Sequence, residues 1–164
     1  IPLFKSQILR QRKVTITNGE MSRFMMSITD AAMLTLKAAT MPKGGEIFVL
    51  KMPVIRLRDL VDVVIEETCR KYDIAESSVQ REEIGLRFGE KMFEELMTVE
   101  ESKFGFELPD MYAICQAYFA FAGKKAASPL AGLKPAEIRS YSSLDQQPID
   151  KEAVRQIILS EKLI

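Results

Sequence analysis

The stretch EIFVLKMPVIRLRDLVDVVIEETCR, residues 46–70, decides the fold class. Glu46 to Leu50 open it with a continuous apolar run, the pattern of a strand buried on both faces. Pro53 interrupts, because its ring fixes φ and it has no N–H to offer a ladder. From Arg56 to Arg70 the period changes. Leu57, Leu60, Val61, Val64 and Ile65 recur at three- and four-residue spacing, the buried stripe of an amphipathic helix. A strand feeding a helix favours an α/β arrangement, with α+β as the alternative.

The flanks continue the alternation. Residues 3–12 read as a short helix with Leu3, Phe4, Ile8 and Leu9 on one side. Lys13 to Thr17 (KVTIT) are β-branched and stop at the turn dipeptide Asn18-Gly19. The run RFMMSI is a second extended piece. Thr29 then serves as a cap, with Asp30 in the first turn of a helix that reaches Ala39. Val79 to Leu86 read as a strand, followed by a short helix carrying Met92, Phe93 and Leu96. Met111 to Ala122 (MYAICQAYFAFA) fit a strand or a buried helix equally well, since periodicity does not separate them. Residues 123–148 carry Gly, Pro and Ser at short intervals and read as an irregular connection. Asp150 caps a last helix with Val154, Ile157 and Ile158 on its buried side. The strands are too few for a complete doubly wound sheet. The sequence therefore divides into residues 1–122 and a connection plus C-terminal helix, 123–164, in the same domain.

Composition narrows the function classes. The chain has 164 residues, with 23 basic and 23 acidic side chains that cancel. No global field draws it to nucleic acid or to an anionic membrane, so any anion site must be local. No apolar run is long enough to span a bilayer. The basic residues of IPLFKSQILRQRK follow the apolar ones, the reverse of a signal peptide. Cys69 and Cys115 stand far apart in apolar contexts and read as free buried thiols of a reducing, cytoplasmic setting. The chain opens on Ile rather than Met, which points to a piece cut from a longer one.

Several chemistries are missing from the sequence. There is no histidine, which removes the usual general base near neutral pH and the commonest metal ligand. No Cys-x-x-Cys and no P-loop occur. Gly44-Gly45 and the Gly85/Gly89 pair lack the spacing of a dinucleotide fingerprint. The carboxylate pairs Glu66-Glu67, Glu82-Glu83 and Glu94-Glu95 alternate with apolar faces and read as solvated edges. The nine methionines read as core filler rather than ligands. No catalytic residue and no metal ligand set is expected in this chain.

One corner stands apart. In GLRFGEKMFEEL, residues 85–96, Arg87 and Glu90 sit three apart at the end of a strand. Two readings stay open at this point: an exposed ion pair at a turn, or a clasp for an anionic ligand that also carries hydroxyls. A guanidinium fork matches phosphate oxygens, and a nearby carboxylate accepts hydrogen bonds from sugar hydroxyls. Arg23, in EMSRFMMSITDA, is a second arginine at an element boundary.

Five blocks in fixed order carry a family resemblance: IPLFKSQI, VTITNGEMSRFMMSITDAAMLTLKA, GEIFVLKMPVIRLRDLVDVV, IGLRFGEKMFEELMTVEES and SYSSLD. Together they resemble the C-terminal, substrate-binding part of the nucleotide-sugar 4,6-dehydratases and epimerases of polysaccharide biosynthesis. These are extended short-chain dehydrogenase/reductases, and the inverting UDP-N-acetylglucosamine 4,6-dehydratase type is the most similar. The resemblance covers most of residues 1–110 and the piece 140–145. It implies that Arg87 binds the diphosphate of a UDP-sugar, that Glu90 binds ribose hydroxyls, and that Arg23 lies beside the phosphates. It places Val14, Thr15 and Ile16 along the uracil pocket.

Three positions depart from the family pattern: Phe88 where Pro or His is usual, Asn18-Gly19 where Asp-Pro is common, and Ser22 where Thr is common. The family's nicotinamide-binding glycines and its Tyr-x-x-x-Lys pair belong to an N-terminal Rossmann domain. None of Tyr72, Tyr112, Tyr118 or Tyr141 has a lysine four residues on. The resemblance therefore implies a substrate-binding region without cofactor of its own, working with NADP or NAD held by the missing domain of the full-length enzyme. A binding or assembly module without catalysis is the alternative. The expected partners are a UDP-sugar, that Rossmann domain and further copies of the chain, with no nucleic acid and no membrane contact.

Overall fold

Ile8 of the first helix and Val154 and Ile158 of the last are completely buried, and they share one core with the long central helix. The computed structural model describes residues 1–41, 45–115, 130 and 132–164. Its elements are mixed α and β, with short strands between helices: α1 (Pro2–Gln11), β1 (Lys13–Ile16), β2 (Ser22–Phe24), α2 (Ile28–Ala39), β3 (Ile47–Leu50), β4 (Val54–Arg56) and α3 (Leu57–Tyr72). After a 3-10 turn at Glu76–Ser78 come β5 (Gln80–Glu83), β6 (Glu95–Met97), α4 (Val99–Ser102), β7 (Gly105–Glu107), β8 (Met111–Ile114), β9 (Lys134–Pro135) and β10 (Tyr141–Ser142). The helix Lys151–Ser160, here α5, follows them.

Two compact units interleave along the chain. Unit 1 holds residues Ile1–Met25, Pro53–Glu94 and Gln146–Ile164; unit 2 holds Met26–Met52 and Glu95–Asp145.

Unit 1 is built on α3, which packs against both α1 and α5. Val61, Val63, Val64 and Ile65 are buried around nearly its whole circumference. Each such side chain contributes about 1.5–3 kcal/mol on leaving water. α1 ends at Arg12 in the left-handed conformation (φ 51°), which turns the chain directly into β1. β1 pairs in parallel with β5, Lys13 opposite Gln80 through Ile16 opposite Glu83. β2 pairs antiparallel with β4. The expected cap of the last helix is present: the Asp150 carboxylate accepts from the Ala153 N–H at 2.8 Å. Val154 and Ile158 are buried as expected, while Ile157 is only half-buried.

An ion-pair network joins α3 to α5. Arg155 donates to the carboxylates of Glu66, Glu67 and Glu152, and Lys151 also donates to Glu66. Arg70 donates to both oxygens of Glu67 at 2.8 and 2.9 Å. Glu67 is buried, so the pair Glu66-Glu67 is not the solvated edge its sequence suggested. Burial alone would push the Glu66 carboxyl up. The hydrogen bonds from Lys151 and Arg155 outweigh it and hold the group below the usual carboxylate range.

Unit 2 carries a four-stranded antiparallel sheet in the order β3-β8-β7-β9. The four residues of β8 are all buried, and β8, with β7, is an inner strand while β3 is not. This corrects the expectation for Glu46–Leu50: β3 lies at the sheet edge and Ile47 is 57% exposed. It also settles Met111–Ile114 as strand; residues 116–122 lie outside the described residues. A second core gathers Ala38, Leu108, Met111 and Ala113.

The cap of α2 is Ser27, two residues before the expected Thr29, and its hydroxyl accepts from the Asp30 N–H at 2.9 Å. The expected strand Val79–Leu86 is confined to Gln80–Glu83. The expected helix carrying Met92, Phe93 and Leu96 is not formed. Residues 92–93 bend and Glu95–Met97 is a strand paired with β10, because long-range bonds claim this segment before it can coil. Part of the expected irregular connection, residues 123–129 and 131, lies outside the described residues; the rest carries β9 and β10. Both cysteines are free and buried, and burial raises the Cys115 thiol to about 11. At neutral pH that sulfur is a protonated core atom rather than a nucleophile.

Candidate functional site

The corner of unit 1 is a loop tied down at both ends. Where β5 stops, the Ile84 N–H still donates to the Ile16 carbonyl at 2.9 Å and prolongs the pairing with β1. Gly85 then takes φ 80°, a conformation that favours glycine, and the chain leaves the sheet. Residues 87–90 form a turn closed twice. The Glu90 N–H donates to the Arg87 carbonyl at 3.0 Å, and the Arg87 N–H donates to the Glu90 carboxylate at 3.0 Å. Gly89, at φ 85°, supplies the positive φ that such a turn requires at its third position. The Thr17 hydroxyl donates to the other Glu90 oxygen at 3.4 Å, which ties the turn to the end of β1.

Arg23 holds the far end. Its guanidinium donates to the carbonyls of Lys91 (2.9 Å), Met92 (3.3 Å) and its own neighbour Ser22 (2.7 Å). Its Nε lies 3.7 Å from the Glu94 carboxylate. The Ser22 N–H donates to the Met92 carbonyl at 3.0 Å, and the Phe24 N–H to Glu94 at 2.9 Å. Arg23 thus clamps the segment that carries the turn.

Arg87 stands in a different state. The exposed Arg87–Glu90 ion pair is not formed: Glu90 is occupied by the backbone of its own turn. Among the described residues neither the Arg87 guanidinium nor the Lys91 ammonium has a hydrogen-bond or ion-pair partner. Two cations therefore flank a fixed carboxylate whose oxygens, each holding one donor, retain capacity for hydroxyl donors. Lys91 was missed in the sequence. Its signal was only that it follows Glu90, and what distinguishes it is the lack of a partner.

The three β1 residues expected along the base pocket, Val14, Thr15 and Ile16, divide. Val14 and Ile16 are buried in the core of unit 1, at 0% and 7% exposure. Thr15 alternates to the other side and is half-buried, its N–H 3.4 Å from the Gln7 side-chain oxygen. The strand presents Thr15 outward while its two neighbours build the core.

Gly19, in the turn between β1 and β2, is needed for close approach. A Cβ there would lie 2.9 Å from a Glu83 carboxylate oxygen and 3.3 Å from Cβ of Arg58. That Glu83 oxygen accepts from the Gly19 N–H at 3.1 Å.

Unit 2 has a separate polar cleft of about 170 Å³ lined by Glu107, Tyr112, Lys134, Glu137, Arg139 and Ser140. Its charges are matched internally: Lys51 and Lys134 approach Glu107 at 2.9 and 3.9 Å, and Arg139 approaches Glu137 at 3.2 Å.

Comparison with known proteins shows the family. Residues 1–116 match the family described as polysaccharide biosynthesis protein, and the chain belongs to that family. It is 39% identical to an uncharacterized membrane protein of Methanocaldococcus jannaschii, over 96% of this chain and 44% of that protein. It is 31% identical to a UDP-glucose 4-epimerase of Rickettsia massiliae, over 98% of this chain and 45% of the epimerase. The X-ray structure of Pen from Bacillus thuringiensis superposes with a TM-score of 0.83 at 47% identity, covering 99% of this chain and 45% of that one. The chain thus spans less than half the length of these relatives.

Proposed function

We propose that this chain is the substrate-binding part of a nucleotide-sugar 4,6-dehydratase or epimerase of polysaccharide biosynthesis, and that it holds the diphosphate and ribose of a UDP-sugar. One observation carries the reading: the unpartnered guanidinium of Arg87 stands on a turn whose carboxylate, Glu90, is already fixed for hydroxyl acceptance. Arg87 takes phosphate oxygens in its fork, and Lys91 adds a second positive charge on the same turn. Glu90 accepts the ribose hydroxyls. Arg23 acts beside the phosphates through the loop it clamps, and Thr15 with the β1 backbone borders the base next to Val14 and Ile16.

Oxidation at C4, loss of water across C5–C6 and hydride return belong to the dehydratase activity of the whole enzyme. NADP or NAD in a Rossmann domain supplies the redox step, and this chain, which carries neither a dinucleotide fingerprint nor a Tyr-x-x-x-Lys pair, is inactive by itself. UDP-N-acetylglucosamine is the substrate favoured by the resemblance. Among the described residues no helix is long and apolar enough to cross a membrane. We place the segment in the cytoplasm, where sugar nucleotides and reduced thiols occur. We also expect a homo-oligomer; the exposure of Ile28, Met33 and Leu36 on α2 supports it.

Calorimetric titration of UDP into the whole encoded protein tests the site. Saturable binding that Arg87→Ala weakens is expected. A titration with no UDP binding by the unaltered protein would overturn it.

A further inference from the structure

The turn 87–90 carries a third group that neither the phosphates nor the ribose explains. Phe88 lies between Arg87 and Gly89, and its side chain is wholly exposed, without packing from either flank. One exposed apolar residue is ordinary on a protein surface. This one is unusual in its setting. The turn beneath it is closed by two hydrogen bonds and fastened to β1 through Thr17, so the ring is carried on a fixed backbone rather than on a loose tip.

A nucleoside diphosphate has three recognisable parts: charged phosphates, a ribose with hydroxyls, and a flat base. Arg87 and Glu90 match the first two. The third needs an apolar face. The apolar side chains of β1 are not available to give one, because Val14 and Ile16 are spent in the core. Leu86, two residues before Phe88, is half exposed, but its branched side chain offers no flat surface.

Resting on the reading of Arg87 and Glu90 above, we infer that Phe88 is a ligand-binding residue whose ring lies flat against the nucleobase of the bound ligand. Base-on-aromatic stacking is sequence-tolerant, because every base has a π-face. Phe88 therefore sets affinity for the nucleoside end as a whole and leaves the choice of base to hydrogen bonds elsewhere. Stacking also buries a ring that is otherwise in water, so the gain comes only when ligand is bound.

Two ligands separate the roles. UDP carries phosphates and base, whereas inorganic pyrophosphate carries phosphates alone. In calorimetric titrations of the whole encoded protein, Phe88→Ala is expected to weaken UDP by about tenfold, within the range for loss of one stacked base. Phe88→Trp should keep or improve the affinity. Neither change should alter pyrophosphate binding, while Arg87→Ala should weaken both ligands. Saturation-transfer NMR on the unaltered protein should show its strongest transfer to the base protons of UDP, which needs no variant to fold.

Unchanged UDP affinity in Phe88→Ala overturns the inference while Arg87→Ala upholds the site. Equal losses of UDP and pyrophosphate in Phe88→Ala would mean that the ring only shapes the turn, and also overturn it. A loss seen for UDP-sugar but not for UDP would put the ring on the hexose, against the base. If the unaltered protein binds no UDP at all, the underlying site fails first and the stacking falls with it.

Discussion

Two places in unit 1 use arginine and glutamate and treat them in opposite ways. Between α3 and α5, Arg155 meets three carboxylates, and Glu67, buried, is held from both sides by Arg155 and Arg70. At the corner, Arg87 and Glu90 are three residues apart, and among the described residues the guanidinium has no hydrogen-bond or ion-pair partner. The first arrangement leaves no recognition capacity for a ligand. In the second, the backbone has taken over the pairing that Glu90 would give to Arg87, so the cation remains in water, ready for an outside anion. Whether an arginine serves the fold or a ligand is decided by what else satisfies its carboxylate neighbour.

The difference has measurable edges. Arg155→Ala should be the most damaging change. It leaves Glu67 buried with fewer donors, and breaking a buried pair from one side costs about 3–5 kcal/mol. Urea unfolding should show a midpoint far below that of the unaltered protein, and an unshifted midpoint would reduce the network to surface decoration. Arg87→Ala should do the reverse: an unchanged urea midpoint, with UDP affinity weakened by about 1.5–3 kcal/mol for one charge-assisted contact. A stability loss with unchanged affinity would erase the distinction between the two regions.

A pH series comes next. Glu66 titrates below the ordinary carboxylate range when folded and near it when unfolded. Its contribution to stability is therefore full above the unfolded value and is lost as pH falls through the folded one. Unfolding midpoints should drop on acidification below the usual carboxylate pKa, and Glu66→Gln should flatten that part of the profile. An equally steep profile in the variant would assign the acid sensitivity elsewhere. The smallest effect is expected for Glu90→Gln. The amide oxygen can still accept one of the two bonds that close and fasten the turn, and only the charge that strengthens bonds to hydroxyls is gone. UDP affinity should fall by less than in Arg87→Ala, with pyrophosphate binding no weaker.

The sequence made some of this legible. The stripe Leu57, Leu60, Val61, Val64, Ile65 is a local signal, and it delivered α3; Asp150 delivered the start of α5 in the same way. The cap of α2 was displaced by two residues because Ser27 and Thr29 offer the same hydroxyl, and only backbone geometry chooses between them. Met92, Phe93 and Leu96 have helical spacing. The segment is nevertheless claimed by partners some seventy positions earlier: Ser22 and Arg23 donate to the Met92 carbonyl, and the Phe24 N–H donates to the Glu94 carboxylate. No window of local pattern holds that information.

The burial of Glu67 was hidden for the same reason, since its partner Arg155 lies 88 residues away. At the corner, the sequence put Arg87 and Glu90 forward together. It did not show that the carboxylate would be committed to the turn, that Arg23 would be a clamp, or that Lys91 would stand unpaired.

The interleaving of the two units has a consequence for the order in which the chain can mature. The core of unit 1 takes Ile8 from its first helix and Val154 and Ile158 from its last. A chain emerging from the ribosome exposes α1 long before α5 exists. Contacts of such sequence separation are closed late, after the loop entropy between them has been overcome. Unit 2, by contrast, is complete in sequence at Asp145, before α5 is made. The central helix α3 is finished at Tyr72 and must wait with one flank bare until α5 begins at Lys151. A premature stop between Asp145 and Lys151 would therefore leave unit 2 complete in sequence and yet deprive α3 of the flank that α5 covers.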